Sequence, residues 1–144
     1  MLELDNILKK ISAMLHILSE ILHTEQQILI EKSSISQLNE VINKKSQLLI
    51  ELKLLDEKRI EISKQCNIKA PYSENPSLAT QWESITDTTK SLTQINHDNG
   101  LIIQNRIDKT QQSINYFKKI NDPVVYTNSG YQKKEVISSK RAKV

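Results

Sequence analysis

Two glycines and three prolines in 144 residues leave the chain few places to turn sharply. A β-protein needs a turn signal every few residues, so this scarcity excludes most all-β folds. Aromatic residues make up only 4% of the chain and apolar residues 38%, against a globular norm of about 45–50% apolar. That is little bulk for one large core. It suits long helices, each of which buries only a stripe. The single cysteine, Cys66, has no partner for an internal disulfide, as expected of a protein kept in a reducing cytoplasm. No apolar run approaches the ~18 residues of a membrane span, so no membrane insertion is expected. Glu3, Asp5, Lys9, Lys10 and Glu20 interrupt the first 22 residues, which therefore do not read as a signal peptide.

Catalytic chemistry is also missing. His16, His23 and His97 are scattered, and two histidines seven apart do not make a metal site without further ligands. They read as solvated surface residues. Cys66 has no histidine near it in sequence to activate it and reads as a plain thiol. There is no glycine-rich phosphate loop, and the carboxylates are spread singly among lysines. No general acid, base or nucleophile can be assigned. The expectation is a protein that is not an enzyme and takes no cofactor.

What is present is periodicity. Leu4, Leu8, Ile11, Leu15, Leu18, Leu22, Glu25 and Leu29 alternate spacings of four and three, the rule of a packed helical seam. Ile7, Met14, Ile21 and Ile28 widen the stripe enough to touch two neighbours, which points to a bundle of three or more helices. The pattern predicts a first helix over about 3–30. A break follows, with Ser33, Ser34 and Ser36 as candidate caps. The rule returns in Leu38, Ile42, Lys45, Leu49, Leu52, Leu55, Arg59 and Ile62, with Val41, Leu48 and Leu54 beside it, predicting a second helix over about 35–65. The short connection implies an antiparallel hairpin. Residues 66–77, with Pro71 and Pro76, read as a linker. A third helix should run from about 77 to 121, where Asp122-Pro123 stops it. Its seam is Leu78, Trp82, Ile85, Thr89, Leu92, Asn96, Asn99, Ile103, Arg106, Thr110, Ile114 and Phe117. Trp82 is expected to close the linker end of the bundle. Asn96 and Asn99 either fix the helical register or mark a hydrated stretch. Gly100 marks either a close helix contact or a bend. The predicted fold is all-α: an antiparallel bundle of three long helices with coiled-coil-like packing, over residues 1–121, and a flexible basic tail over 122–144.

The net charge of +3 sits wholly in that tail: residues 1–121 carry 15 Lys+Arg and 15 Asp+Glu. A neutral body argues against a nucleic-acid surface along the helices. Helix lengths add a functional argument. The first two helices would span about 42–46 Å and the third about 66 Å, so roughly 20 Å of the third would outrun its neighbours. That stretch carries Ile107, Ile114, Tyr116, Phe117 and Ile120. An unpartnered apolar helical face is a docking site for an amphipathic helix of another chain. Alternatively, the helices slide or bend to cover it, or a homodimer does. A structural homo-oligomeric coiled-coil protein is the competing expectation.

Trp82-Glu83-Ser84-Ile85-Thr86, the stretch from Leu92 to Ile103 through Asn96-His97-Asp98-Asn99-Gly100, and Arg106-Ile107-Asp108 with Gln111-Gln112-Ser113-Ile114 resemble the long helix of the FlgN family. Thr24-Glu25-Gln26-Gln27, Lys45-Ser46-Gln47-Leu48-Leu49 and Val125-Tyr126-Thr127-Asn128-Ser129-Gly130 are similar to the same family in the same order. The resemblance implies a cytoplasmic flagellar export chaperone for the hook–filament junction. Such a protein binds the C-terminal helical region of hook-associated proteins 1 and 3, prevents their premature assembly and delivers them to the type III export gate. It implies that Tyr126 contacts the cytoplasmic domain of the gate protein FlhA. The expected cargo-binding residues are Ile103, Ile107, Ile114, Phe117 and Ile120.

Overall fold

A computed structural model of the chain describes residues 1–32 and 34–121. Three helices account for most of them: α1 (Leu2–Glu31), α2 (Ile35–Gln65) and α3 (Pro76–Asn121). The chain divides into two compact units, Met1–Ile103 and Gln104–Val144. The first unit holds α1, α2 and the greater part of α3.

Local chemistry explains the helix ends. Glu3 and Asp5 place negative charge in the first turn of α1, where the helix dipole favours it. Lys32 ends α1 in the left-handed conformation, with φ of 53°, and its N–H bonds back to the Ile28 carbonyl. Ser34 caps α2, its side chain accepting from the Gln37 N–H. Asn75 caps α3 by accepting from the Leu78 N–H at 3.2 Å. Pro76 takes the first helical position, where a missing N–H costs nothing.

In the first unit the helices run up, down and up. Lys45 of α2 meets Glu25 of α1 near the hairpin end, and the Met1 amine lies 4.0 Å from the Cys66 sulfur at the other. α1 and α2 are therefore antiparallel. Gln81 donates to Asp5 and Asn99 donates to Leu22 and Glu25, a nearly constant sequence offset, so α3 runs parallel to α1. The Asp5 carboxyl is held below its ordinary value by hydrogen bonds from Lys9 and Gln81.

All eight α1 seam positions named from the four-three spacing are buried. Six of them, from Leu4 to Leu22, form one apolar core with Ile7, with Leu48 and Ile62 of α2 and with Leu78, Ile85 and Leu92 of α3. Each buried leucine contributes about 1.5–3 kcal/mol relative to exposure. In α2 the spacing rule misplaces two residues. Leu48 is buried, whereas Leu49 is 43% exposed and Leu54 59% exposed. The heptad row Leu48, Leu55 and Ile62 carries more of the packing than the row through Leu49. Leu49 instead borders an opening of about 170 Å³ with Leu18, Leu22, Leu52, Leu92 and Thr93.

The linker is more than a connection. Tyr72 is buried, its ring edge-on to Trp82 at 5.8 Å between centroids. Its hydroxyl accepts from Arg59 at 2.8 Å and lies 2.9 Å from Ser63 Oγ. The Arg59 guanidinium sits 4.3 Å above the Trp82 ring and bonds to Asp56. Burial works against the charged Arg59, but the bonds to Asp56 and Tyr72 outweigh it and hold its pKa above the ordinary value. Trp82 thus closes the linker end, as its place in the seam predicts, with Tyr72 as an unforeseen partner.

Near the opposite end lies a buried polar cluster. Glu25 and Asn99 are both 0% exposed. Asn99 Nδ2 donates to Glu25 Oε1 at 2.9 Å and to the Leu22 carbonyl at 3.0 Å. The Lys45 ammonium pairs with Glu25 Oε2 at 2.8 Å and donates to Asn96 Oδ1 at 3.0 Å. The Lys45–Oε2 contact is one of charge, since Oε2 meets no donor in hydrogen-bond geometry. Asn99 is buried with its Oδ1 unpartnered, whereas Asn96 is exposed, so the two polar seam positions lie in different surroundings. Gly100 makes no close contact: a Cβ built there meets nothing within 4 Å.

Three substitutions test the contributions of these sites to stability. Lys45→Ala leaves a buried carboxylate unpaired and should cost about 3–5 kcal/mol, read from the urea midpoint. Replacing Glu25, Lys45 and Asn99 together with Leu, Met and Leu should be neutral or stabilising by about 1–4 kcal/mol, with extra sets of NMR resonances from lost register. A triple variant less stable than Lys45→Ala would refute that account. Gly100→Ala should raise stability by up to about 1 kcal/mol, and a lower midpoint would show that the open space is needed.

Candidate functional site

The surface singled out from sequence lies on α3. Among the five expected contact residues, Ile103 belongs to the first unit and is half-buried. Ile107, Ile114, Phe117 and Ile120 belong to the second unit, and each is between 43% and 59% exposed. Single exposed aliphatics are ordinary on a protein surface, and their clustering is the informative feature.

Helical geometry brings them together. Ile107, Thr110, Ile114 and Phe117 repeat at spacings of three and four, which places them on one side of a helix. Tyr116, 63% exposed, stands beside Phe117, with ring centroids 6.2 Å apart at a steep angle. This edge-to-face pair holds two large apolar surfaces ready for contact. Lys109, Gln112, Ser113, Tyr116 and Phe117 line a shallow cleft along the same stretch.

The segment also carries its own local support. Gln104 donates to Asp108 and Gln111 to Asn115, both at 3.1 Å and four residues apart. Such pairs stabilise a helix by about 0.2–0.5 kcal/mol each, without any neighbour. Residues 104–121 therefore present apolar side chains on a helix that braces itself.

The remaining candidates carry less chemistry. His16 lies 3.4 Å from Glu20, and His23 Nδ1 lies 2.7 Å from the Ser19 carbonyl. Both are exposed, as is His97. Among the described residues, no three His, Cys, Asp or Glu side chains converge as metal ligands. Nor is any described helix long and apolar enough to cross a membrane. Tyr126 and the rest of the expected tail lie outside the described residues.

Sequence reasoning located the apolar row by its spacing, but it missed Tyr72. Nothing in the Pro-rich linker distinguishes a tyrosine that plugs a bundle from one in solvent. The signal lay in Arg59 and Ser63, polar residues at or beside an apolar seam that needed a buried hydroxyl for partner.

Known proteins resemble this chain over nearly its whole length. The family model described as FlgN protein matches residues 1–134. A flagella synthesis protein FlgN of Proteus mirabilis is 30% identical over 131 residues, covering 90% of each chain. The protein of the same name from Salmonella typhimurium is 30% identical over 130 residues, and that of Escherichia coli 31% over 137, again covering 90% of each chain. No solved structure matches the chain. With a family model spanning most of its residues, and relatives at this identity on both sides of it, the chain belongs to the FlgN family.

Proposed function

We propose that this chain is a flagellar export chaperone of the cytoplasm. It binds the C-terminal helical region of hook-associated proteins 1 and 3, prevents their premature assembly and delivers them to the type III export gate. The observation that carries the proposal is the exposed row Ile107, Ile114 and Phe117 on α3, in a chain whose relatives are named flagella synthesis proteins. An amphipathic helix laid along that row buries apolar surface on both partners. Holding is the whole of the task, and it needs no acid, base or nucleophile. Release requires that the held helix be bound by surface contact and not threaded through a core, which an exposed helical face provides.

Calorimetric titration with the C-terminal segments of the two hook-associated proteins tests the carrier role. Binding tighter than ~10 μM is expected, since a dedicated carrier needs roughly −7 kcal/mol to hold its cargo. Absence of binding at that concentration rejects the role. Ile114→Asp or Phe117→Asp should weaken binding at least about tenfold, because a charge is buried in place of an anchor, while helical content by circular dichroism stays unchanged. Equal affinity in both variants would mean that another face holds the cargo.

Tyr126 is proposed to contact the cytoplasmic domain of FlhA. Tyr126→Ala should leave cargo affinity intact and reduce both binding to that domain and export of the junction proteins. Normal export by this variant would remove Tyr126 from the docking step.

A further inference from the structure

Residues 104–121 are as uneven in charge as they are in polarity. Arg106, Lys109, Lys118 and Lys119 stand against Asp108 alone, a net of +3 (4 − 1). Residues 1–103 carry 11 Lys+Arg and 14 Asp+Glu, a net of −3 (11 − 14). The charge of this short helical stretch is thus opposite in sign to that of the chain before it.

Where the cations fall matters more than their sum. Eleven residues make about three turns of helix, so positions eleven apart lie on nearly the same side. Phe117 follows Arg106 by eleven, and Lys118 follows Ile107 by eleven. The row Ile107, Ile114 and Phe117 therefore has a cation along each border, Lys118 on one side and Arg106 on the other. Asp108 points about a quarter-turn away from Ile107 and accepts from Gln104 Nε2. Within the described residues, no carboxylate pairs with any of the four cations. The side opposite the row mixes the amides Asn105, Gln112 and Asn115 with Asp108, Lys109, Lys119 and Tyr116.

We propose that this face takes an amphipathic helix whose own apolar stripe is bordered by carboxylates, which pair with Arg106 and Lys118. The proposal rests on the carrier role and names the chemistry of the helix that is carried. Bordering charges at a rim speed encounter, set the register and repel partners of the wrong sign, while the apolar row supplies most of the affinity. An anionic membrane shares the sign of the partner. Helices that lie on membranes, however, fill the polar side with Lys and Arg, and here three amides, Asp108 and Tyr116 share that side with Lys109 and Lys119. A nucleic acid asks for cations tracking a phosphate backbone, and here an apolar row separates them.

Three synthetic helices that share one Leu/Ile stripe, with Glu, Gln or Lys at the bordering positions, test this. Each is titrated into the full chain by fluorescence anisotropy at low and high salt. The Glu helix should bind about five- to tenfold more tightly than the Gln helix at low salt, and the Lys helix most weakly. The gap should close at about 0.5 M salt, where charges at a rim are screened. The double variant R106Q/K118Q should keep its affinity for the Gln helix and lose the preference for Glu. Equal binding of the Glu and Gln helices to the unaltered chain overturns the proposal and leaves the carrier role standing. A preference that survives in the double variant overturns it as well. Binding of none of the three, together with no binding of the hook-associated segments, rejects the carrier role and this proposal with it. Tighter association with phosphatidylglycerol vesicles than with the Glu helix would assign the face to a membrane surface instead.

Discussion

The contact of Glu25, Lys45 and Asn99 determines how the helices of the first unit slide against one another. A leucine stripe with four-three spacing does not set its own register. A shift of one heptad brings leucine opposite leucine again, at little cost in buried area. A fully buried carboxylate allows no such freedom. It must meet the ammonium of Lys45 and the amide of Asn99 or remain as an unpaired charge in a dry interior. One polar layer thus selects the register that the apolar layers leave open. It joins all three helices, with Lys45 contributed by α2 and Asn99 by α3 to a carboxylate on α1.

The other end of the unit is closed differently. There Tyr72 enters from the linker, and its hydroxyl gives Arg59 and Ser63 a buried partner while its ring meets Trp82. Arg59 spreads its charge between Asp56, the tyrosine oxygen and the indole face. The two ends are therefore held by polar contacts and the middle by leucine. Between them, the α3 residues Leu78, Ile85 and Leu92 are aligned on the stripe of α1.

The proposed holding of a foreign helix would place a different demand on the chain. The segment must keep its shape without a partner and still offer apolar surface to one. Residues 104–121 meet this with local means: glutamine bonded to a residue four positions on, and an aromatic pair on adjacent positions. In the proposed complex, the cations at the borders of the row would give the encounter a preferred sign.

Periodicity determined much of this protein. The all-α class, the three helices and the buried side of α1 are written in spacings that local geometry converts directly into faces, because a helix has one period wherever it occurs. The same spacing placed Ile107, Ile114 and Phe117 on one side of α3, and the borders of the row follow from sequence once the helix is granted. Family membership too was legible, from short stretches of the long helix in consistent order. Tertiary structure decided what no period encodes. That Asn99 meets Glu25, 74 positions away, depends on how three helices are laid together. That Leu48 and not Leu49 is buried depends on where α2 divides its stripe between two neighbours. That Tyr72 is a plug depends on how Arg59, Ser63 and Trp82 are brought to one place. In each case the deciding quantity is a distance between residues remote in sequence, and helical spacing constrains only residues within a few turns of each other.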